Sequence, residues 1–272
     1  PDTEFPHKLD WMYETDYRRI ERLTLHQKTT LDQLRRTNRK QLRIARDKRY
    51  ELLQNAAEIQ VAAPESAFCG DRIGIQVDVQ SLVAGHNFPT GFTEERQLWV
   101  SAELFDTQGR SVFATGDFDS YGDLRDEHSH AVLGGHAHWD RRLLNFQSKF
   151  IGLATRGTER PLILSVNRQL APLNIFRPAP EPTAAFGRPS TFRISKGSIA
   201  PLSTVSKKYS VVLPDCSGEY CLRVRLNYRH LPPHLMDEIG TPHLKPLLET
   251  VVIDQHDSVI RVGNSAGGRL FR

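Results

Sequence analysis

Three cysteines in 272 residues are too few to staple a scaffold. None of them stands in the Cys-x-x-Cys-His spacing that attaches haem covalently. Long apolar runs are missing as well: residues 161–164 and 209–213 are among the longest, far short of the roughly 20 residues that cross a bilayer. Any membrane contact is therefore expected to be peripheral or made through a partner. The chain has no Gly-x-Ser-x-Gly elbow, no phosphate-cradling glycine loop and no His-Glu-x-x-His zinc helix. These absences point away from an enzyme. It also lacks a helix-turn-helix or zinc-finger pattern and the interleaved aromatics of single-strand binders, so nucleic acid is not an expected partner.

What is present is a folding composition, 39% hydrophobic and 25% charged, divided between two kinds of pattern. The start, Pro1-Asp2-Thr3-Glu4-Phe5, carries neither an initiator methionine nor a basic and apolar leader, so the sequence is expected to begin after processing or to be part of a longer precursor. From residue 13 to residue 59, Ile20, Leu23, Leu31, Leu34, Leu42, Ala45, Leu52, Ala56 and Ile59 recur at spacings near multiples of three and four, which predicts a helix. No proline or glycine interrupts the stretch, and Pro64 stops it. The pattern fits one long helix or a helical hairpin bent at Thr37-Asn38. The same arm concentrates Arg35, Arg36, Arg39, Arg43 and their neighbours, which gives it a positive face for an acidic protein or an anionic surface. The plain alternative is a solvated face whose arginine stems cover apolar surface.

From Arg72 the period changes to two. Ile73, Ile75, Val77 and Val79 alternate with polar residues, as do Leu98, Val100, Ala102 and Leu104. Asp106-Thr107-Gln108-Gly109 reads as a hairpin turn into residues 111–114, and further strands are expected at 191–194, 209–213, 222–228 and 250–253. Residues 173–189, rich in proline, alanine and glycine, read as a long surface loop. The fold expected is mainly β: an antiparallel immunoglobulin-like β-sandwich over 64–272, preceded by a basic helical arm over 1–63.

Three clusters carry candidate chemistry. Cys216 and Cys221 flank a turn that would join them as a disulfide in an oxidising compartment, the alternative being two reduced strand cysteines; Cys69 is then a lone structural thiol. His128, His130, His136 and His138 form two His-x-His pairs, which on extended segments would put imidazoles on one side for a transition metal. A periplasmic metal-binding or metal-dependent redox protein is the alternative function these four imply. Asp117, Asp119, Asp123 and Asp126 offer hard oxygens for calcium, or hold their turns through backbone amides. Glu94 and Glu95 read as exposed acids or partners of Arg96.

Gly85-His86-Asn87-Phe88-Pro89-Thr90-Gly91 resembles a signature of the haem-free C-terminal region of multihaem c-type cytochromes. Arg96-Gln97-Leu98-Trp99-Val100, Asp106-Thr107-Gln108-Gly109-Arg110, Gly116-Asp117-Phe118-Asp119, Gly122-Asp123-Leu124-Arg125-Asp126 and residues 226–235 follow in that module's order. The resemblance runs from about residue 59 to residue 253, and it departs from the family in lacking every haem-attachment pair. It implies an accessory subunit of a periplasmic or extracellular electron-transfer complex. Such a chain would carry no covalent cofactor and would dock a c-type cytochrome or other redox subunit through Arg35, Arg36, Arg39, Arg43 and Trp139. Trp11 and Trp99 are further anchor candidates. His7, His26 and His86 become haem-proximal candidates, His86 alternatively holding its own loop by hydrogen bonds.

Overall fold

The computed structural model describes residues 24–90, 96–126, 129–153, 159–162, 192–195, 197–214, 218–238 and 240–263. Helix α1 (Leu25–Gln54) opens on a capping box: the Gln27 amide donates to Thr24 Oγ1 and the Thr24 amide to Gln27 Oε1. At 1.5 Å per residue its 30 residues span about 45 Å, and it runs unbroken through Thr37-Asn38, so of the two expected forms the single long helix is the one observed. The helix also stops earlier than its periodicity implied. Asn55 caps it, donating its side-chain amide to Glu51 O, and Ala57 already begins strand β1 (Ala57–Ala62). Ala56 and Ile59 fit a helical spacing of three, but pairing with residues 76–81 makes 57–62 a strand in which Ala57 and Ile59, two apart, share the buried face.

One sheet has the order β1-β3-β10, with β3 (Arg72–Ser81) antiparallel to both β1 and β10 (Thr204–Val212). The other has the order β2-β12-β11-β4-β5: β2 (Ser66–Phe68), β12 (Thr250–Gly263), β11 (Gly218–Arg229), β4 (Gln97–Phe105) and β5 (Ser111–Thr115), with the short β6 (Leu144–Asn145) on β4. Its ladders are antiparallel except β2 on β12, which is parallel. A third small sheet joins β7 (Lys149–Leu153), β8 (Glu159–Leu162) and β9 (Phe192–Ser195). The loop expected at 173–189 lies outside the described residues. Two short helices, α2 (His130–Leu133) and α3 (Pro233–Glu238), and a 3-10 turn (Pro242–Leu247) complete the chain.

The core is what the alternation dictates. Ile73, Ile75, Val77 and Val79 from β3 are buried in one cluster with Leu98, Val100, Ala102 and Leu104 from β4 and Leu222, Val224 and Leu226 from β11. β1, although it falls within 1–63, pairs along its whole length with β3 and contributes Ala57 and Ile59 to the same cluster. The Asp106 turn forms as expected: its carboxylate accepts the amides of Gln108 and Arg110, and Gly109 takes φ 75°. No helix among the described residues is long and apolar enough to cross a membrane.

The cysteine expectation is corrected. Cys69 is disulfide-bonded and Cys221 is a free, exposed thiol, so a Cys216–Cys221 bridge is not formed. Cys221 sits within the β11 ladder opposite Phe105 and Val259, where its side chain is committed to the strand's exposed face. Cys69 lies on a turn tied to the end of β10, Gly70 N–H donating to Leu213 O and Leu213 N–H to Asp71 O. Cys216 itself is outside the described residues.

Candidate functional site

Where β4 begins at Gln97 and β11 ends at Arg229, the outer face of the six-stranded sheet is also covered, and the covering is polar. Arg229 is only 4% exposed. Its guanidinium donates to Gln97 Oε1 at 2.6 and 2.8 Å and to Gly122 O at 2.8 Å, and lies 4.8 Å from the Phe118 ring centroid and 5.6 Å from that of Trp99. Burial pulls its pKa down to about 10, against the opposing pull of Asp123, Asp119 and Asp126, so it stays charged at neutral pH. The loop above it is locked from several sides. Asp119 Oδ1 accepts the amides of Tyr121 and Asp123, and its other oxygen accepts the Ser129 hydroxyl. Asp123 accepts the backbone amide of His234 and faces its Nδ1 at 3.1 Å; Asp117 pairs with Arg125. Trp99 Nε1–H donates to Gly116 O. Gly116 has φ 72°, and an added Cβ would stand 2.3 Å from Val100 O, so only glycine fits there.

Within this network the Asp119 carboxylate holds the turn at residues 121–123, and no group of three or more metal-ligating side chains converges among the described residues. Of the histidine quartet, His130, His136 and His138 are described, and they do not converge into a metal-ligating group. His130 opens helix α2 instead of lying on an extended segment, with its ring 6.4 Å from that of His234, while His136 and His138 are on the following loop. His128, Glu94 and Glu95 fall outside the described residues, as do His7 and Trp11. Trp99, 1% exposed, is a core side chain and not a docking anchor.

Among the described residues, a groove of about 700 Å³ lies between the last turn of α1 and the signature loop. Leu52, Leu53, Val83, Phe88 and Pro89 form its apolar walls, and Arg49, Arg96, His86 and His230 are among its polar lining residues. Each wall has a physical anchor. The helix end is clamped to the body by Glu249, which accepts from Arg46 at 2.9 Å and from Arg49 at 3.2 Å. Burial would raise the Glu249 carboxyl, but its hydrogen bond with Tyr50 and the Arg46 charge outweigh that and hold it below the usual carboxylate value. The opposite wall is pinned by Phe88, whose amide and carbonyl exchange hydrogen bonds with Ile199 at 2.8 and 2.7 Å, and by Asn87 Nδ2 on Ser198 Oγ. The Phe88–Pro89 peptide is cis. At the floor, burial raises the Tyr228 hydroxyl pKa against the nearby Arg96 and Arg49 charges, and that hydroxyl lies 3.5 Å from His230 Nδ1.

Of the site candidates drawn from the sequence, His86 alone lines this groove among the described residues. Arg36, Arg39 and Arg43 are on the solvent side and Arg35 is half-buried, farther up the same helix. His26 stands on the first turn of α1, 22 residues or about 33 Å along the axis from Lys48 at the groove. Trp139, 52% exposed, stands between α2 and β6 on a loop tied down by Arg125 through His138 O. Sequence reading passed over Arg229, His230, Tyr228 and the Glu249 clamp. A charged residue following the inward-facing Leu222, Val224 and Leu226 was the available sign for Arg229.

No protein-family model matches the chain, and no curated protein matches it. Among solved structures, a penta-heme cytochrome c552 from Thermochromatium tepidum is similar over 76% of this chain, at 17% identity and a TM-score of 0.43; the chain spans 41% of that cytochrome. The C-terminal domain of wzt is similar over 77% of this chain and 72% of its own length, at 11% identity and a TM-score of 0.29. Both likenesses are distant.

Proposed function

We propose that this chain is a non-catalytic docking module of an extracytoplasmic electron-transfer assembly, and that its groove receives the exposed haem edge of a c-type cytochrome subunit. One observation carries the reading: the loop that holds the cytochrome-like signature forms a wall of a largely apolar groove whose opposite wall is the end of the basic helix. A haem edge is apolar with carboxylate substituents, and Phe88, Pro89 and Leu52 beside Arg49 and Arg96 match both halves of that chemistry. The Cys69 disulfide suits an oxidising compartment, outside the cytoplasm. Arg36, Arg39 and Arg43 supply positive charge for steering toward an acidic partner. Two facing sheets around one core support reading the body as an immunoglobulin-like sandwich, a rigid platform for these elements.

Isolation of the native chain under mild conditions, followed by intact-complex mass spectrometry and an optical spectrum, tests the proposal. Co-elution with a haem-bearing polypeptide is the expected outcome. A chain that runs alone, haem-free and with stoichiometric bound metal, would overturn it.

A further inference from the structure

The groove carries an imidazole, His86, one of whose nitrogens faces a backbone carbonyl. His86 Nδ1 lies 3.0 Å from Asn87 O. A carbonyl oxygen can only accept, so Nδ1 holds the proton, and in the neutral ring the lone pair is left on Nε2. Outer-shell carbonyls orient metal-binding histidines in this way, fixing the tautomer and raising the basicity of the ligating nitrogen. The loop beneath is equally constrained, by the Phe88–Ile199 pair of backbone hydrogen bonds and by Asn87 on Ser198. The imidazole is exposed, so a ligand approaching along the groove can reach it.

We propose that His86 is an axial ligand supplied in trans, its Nε2 binding the iron of the partner's haem while the porphyrin edge lies against Phe88 and Leu52. The inference rests on the docking reading and deepens it from a contact to a bond. The step is a substitution at constant oxidation state: Nε2 gives its lone pair to iron, an Fe–N bond forms, the Fe–O bond to an exchangeable water breaks, and the water leaves. His26 is placed about 33 Å along α1 from the groove and cannot share the task.

The probe is a ferric haem c peptide that has one histidine ligand and an exchangeable water on the other face. Titrating it into the full chain should give a saturable Soret shift and a low-spin, bis-histidine spectrum at one haem per chain. His86→Ala should weaken binding by about tenfold or more, the order that even outer-shell changes produce at metal sites. His26→Ala, remote from the groove, should titrate like wild type, and the circular dichroism of both variants should be unchanged. No low-spin species with wild type, or an identical titration for His86→Ala, overturns ligation. If a haem-bearing partner still co-purifies in that case, ligation alone has failed and docking stands; if none does, both have.

Discussion

The body and the arm of this protein are stabilised by opposite means. In the body, β4 and β11 bury side chains on both faces where they reach the groove, apolar toward the second sheet and polar around Arg229 toward the covering loop. In the arm, a helix of 30 residues buries only Leu53. Isolated helices draw little stability from propensity alone, so α1 depends on its capping box and on the Arg46, Arg49 and Tyr50 contacts at its last turns. Side chains that a fold does not need are those free to serve a contact. The difference marks Arg36, Arg39 and Arg43 as residues whose exchange should cost the fold little.

The largest expected effect falls on the body. Arg229→Met keeps most of the volume but leaves Asp119, Asp123 and Asp126 without their shared buried cation, and removing one partner of a buried charge network costs about 3–5 kcal/mol. Urea unfolding checks this; a loss under about 1 kcal/mol would show that the network is not holding the loop, since surface changes reach only that scale. At the junction, Glu249→Gln should cost about 1 kcal/mol and loosen the helix end, read as increased amide exchange in residues 46–54 with the sheets still protected. The same clamp predicts a pH dependence. The Glu249 carboxyl is depressed in the folded state, so its stabilisation is present above its ordinary value of 4.5 and is lost as pH falls through the lower folded value. Exchange at the helix end should rise in that acid window, and an equal rise in Glu249→Gln would remove the assignment. The smallest effect on stability belongs to the arm. Replacing Arg36, Arg39 and Arg43 together with glutamine should shift unfolding by less than about 0.5 kcal/mol while weakening capture of the proposed cytochrome partner, most visibly at low salt.

Much of the architecture was readable because alternation is a local property. Strands β3, β4, β5 and β10, the Asp106 turn and the long helix each announced themselves in consecutive residues. β12 was read as only four residues because its middle, Asp254-Gln255-His256-Asp257-Ser258, is polar; the ladder to β11 carries the strand across that middle, from Thr250 to Val262. The register shift between Leu226 and Asn227 was hidden for the same reason. Beyond it Asn227, Tyr228 and Arg229 are all buried, which no period of two anticipates.

The amino-acid order by itself determined the helix with its charge, the period-two strands and the signature loop, since each follows from periodicity or turn chemistry within a few residues. Only the tertiary structure decided which cysteine is bridged, that the scattered histidines do not converge among the described residues, and that the loop at residues 85–90 meets a helix end more than 30 residues earlier in the chain. Those outcomes depend on strand pairing across long sequence separations, and a ladder partner is chosen by the burial of a whole face rather than by any residue's neighbours.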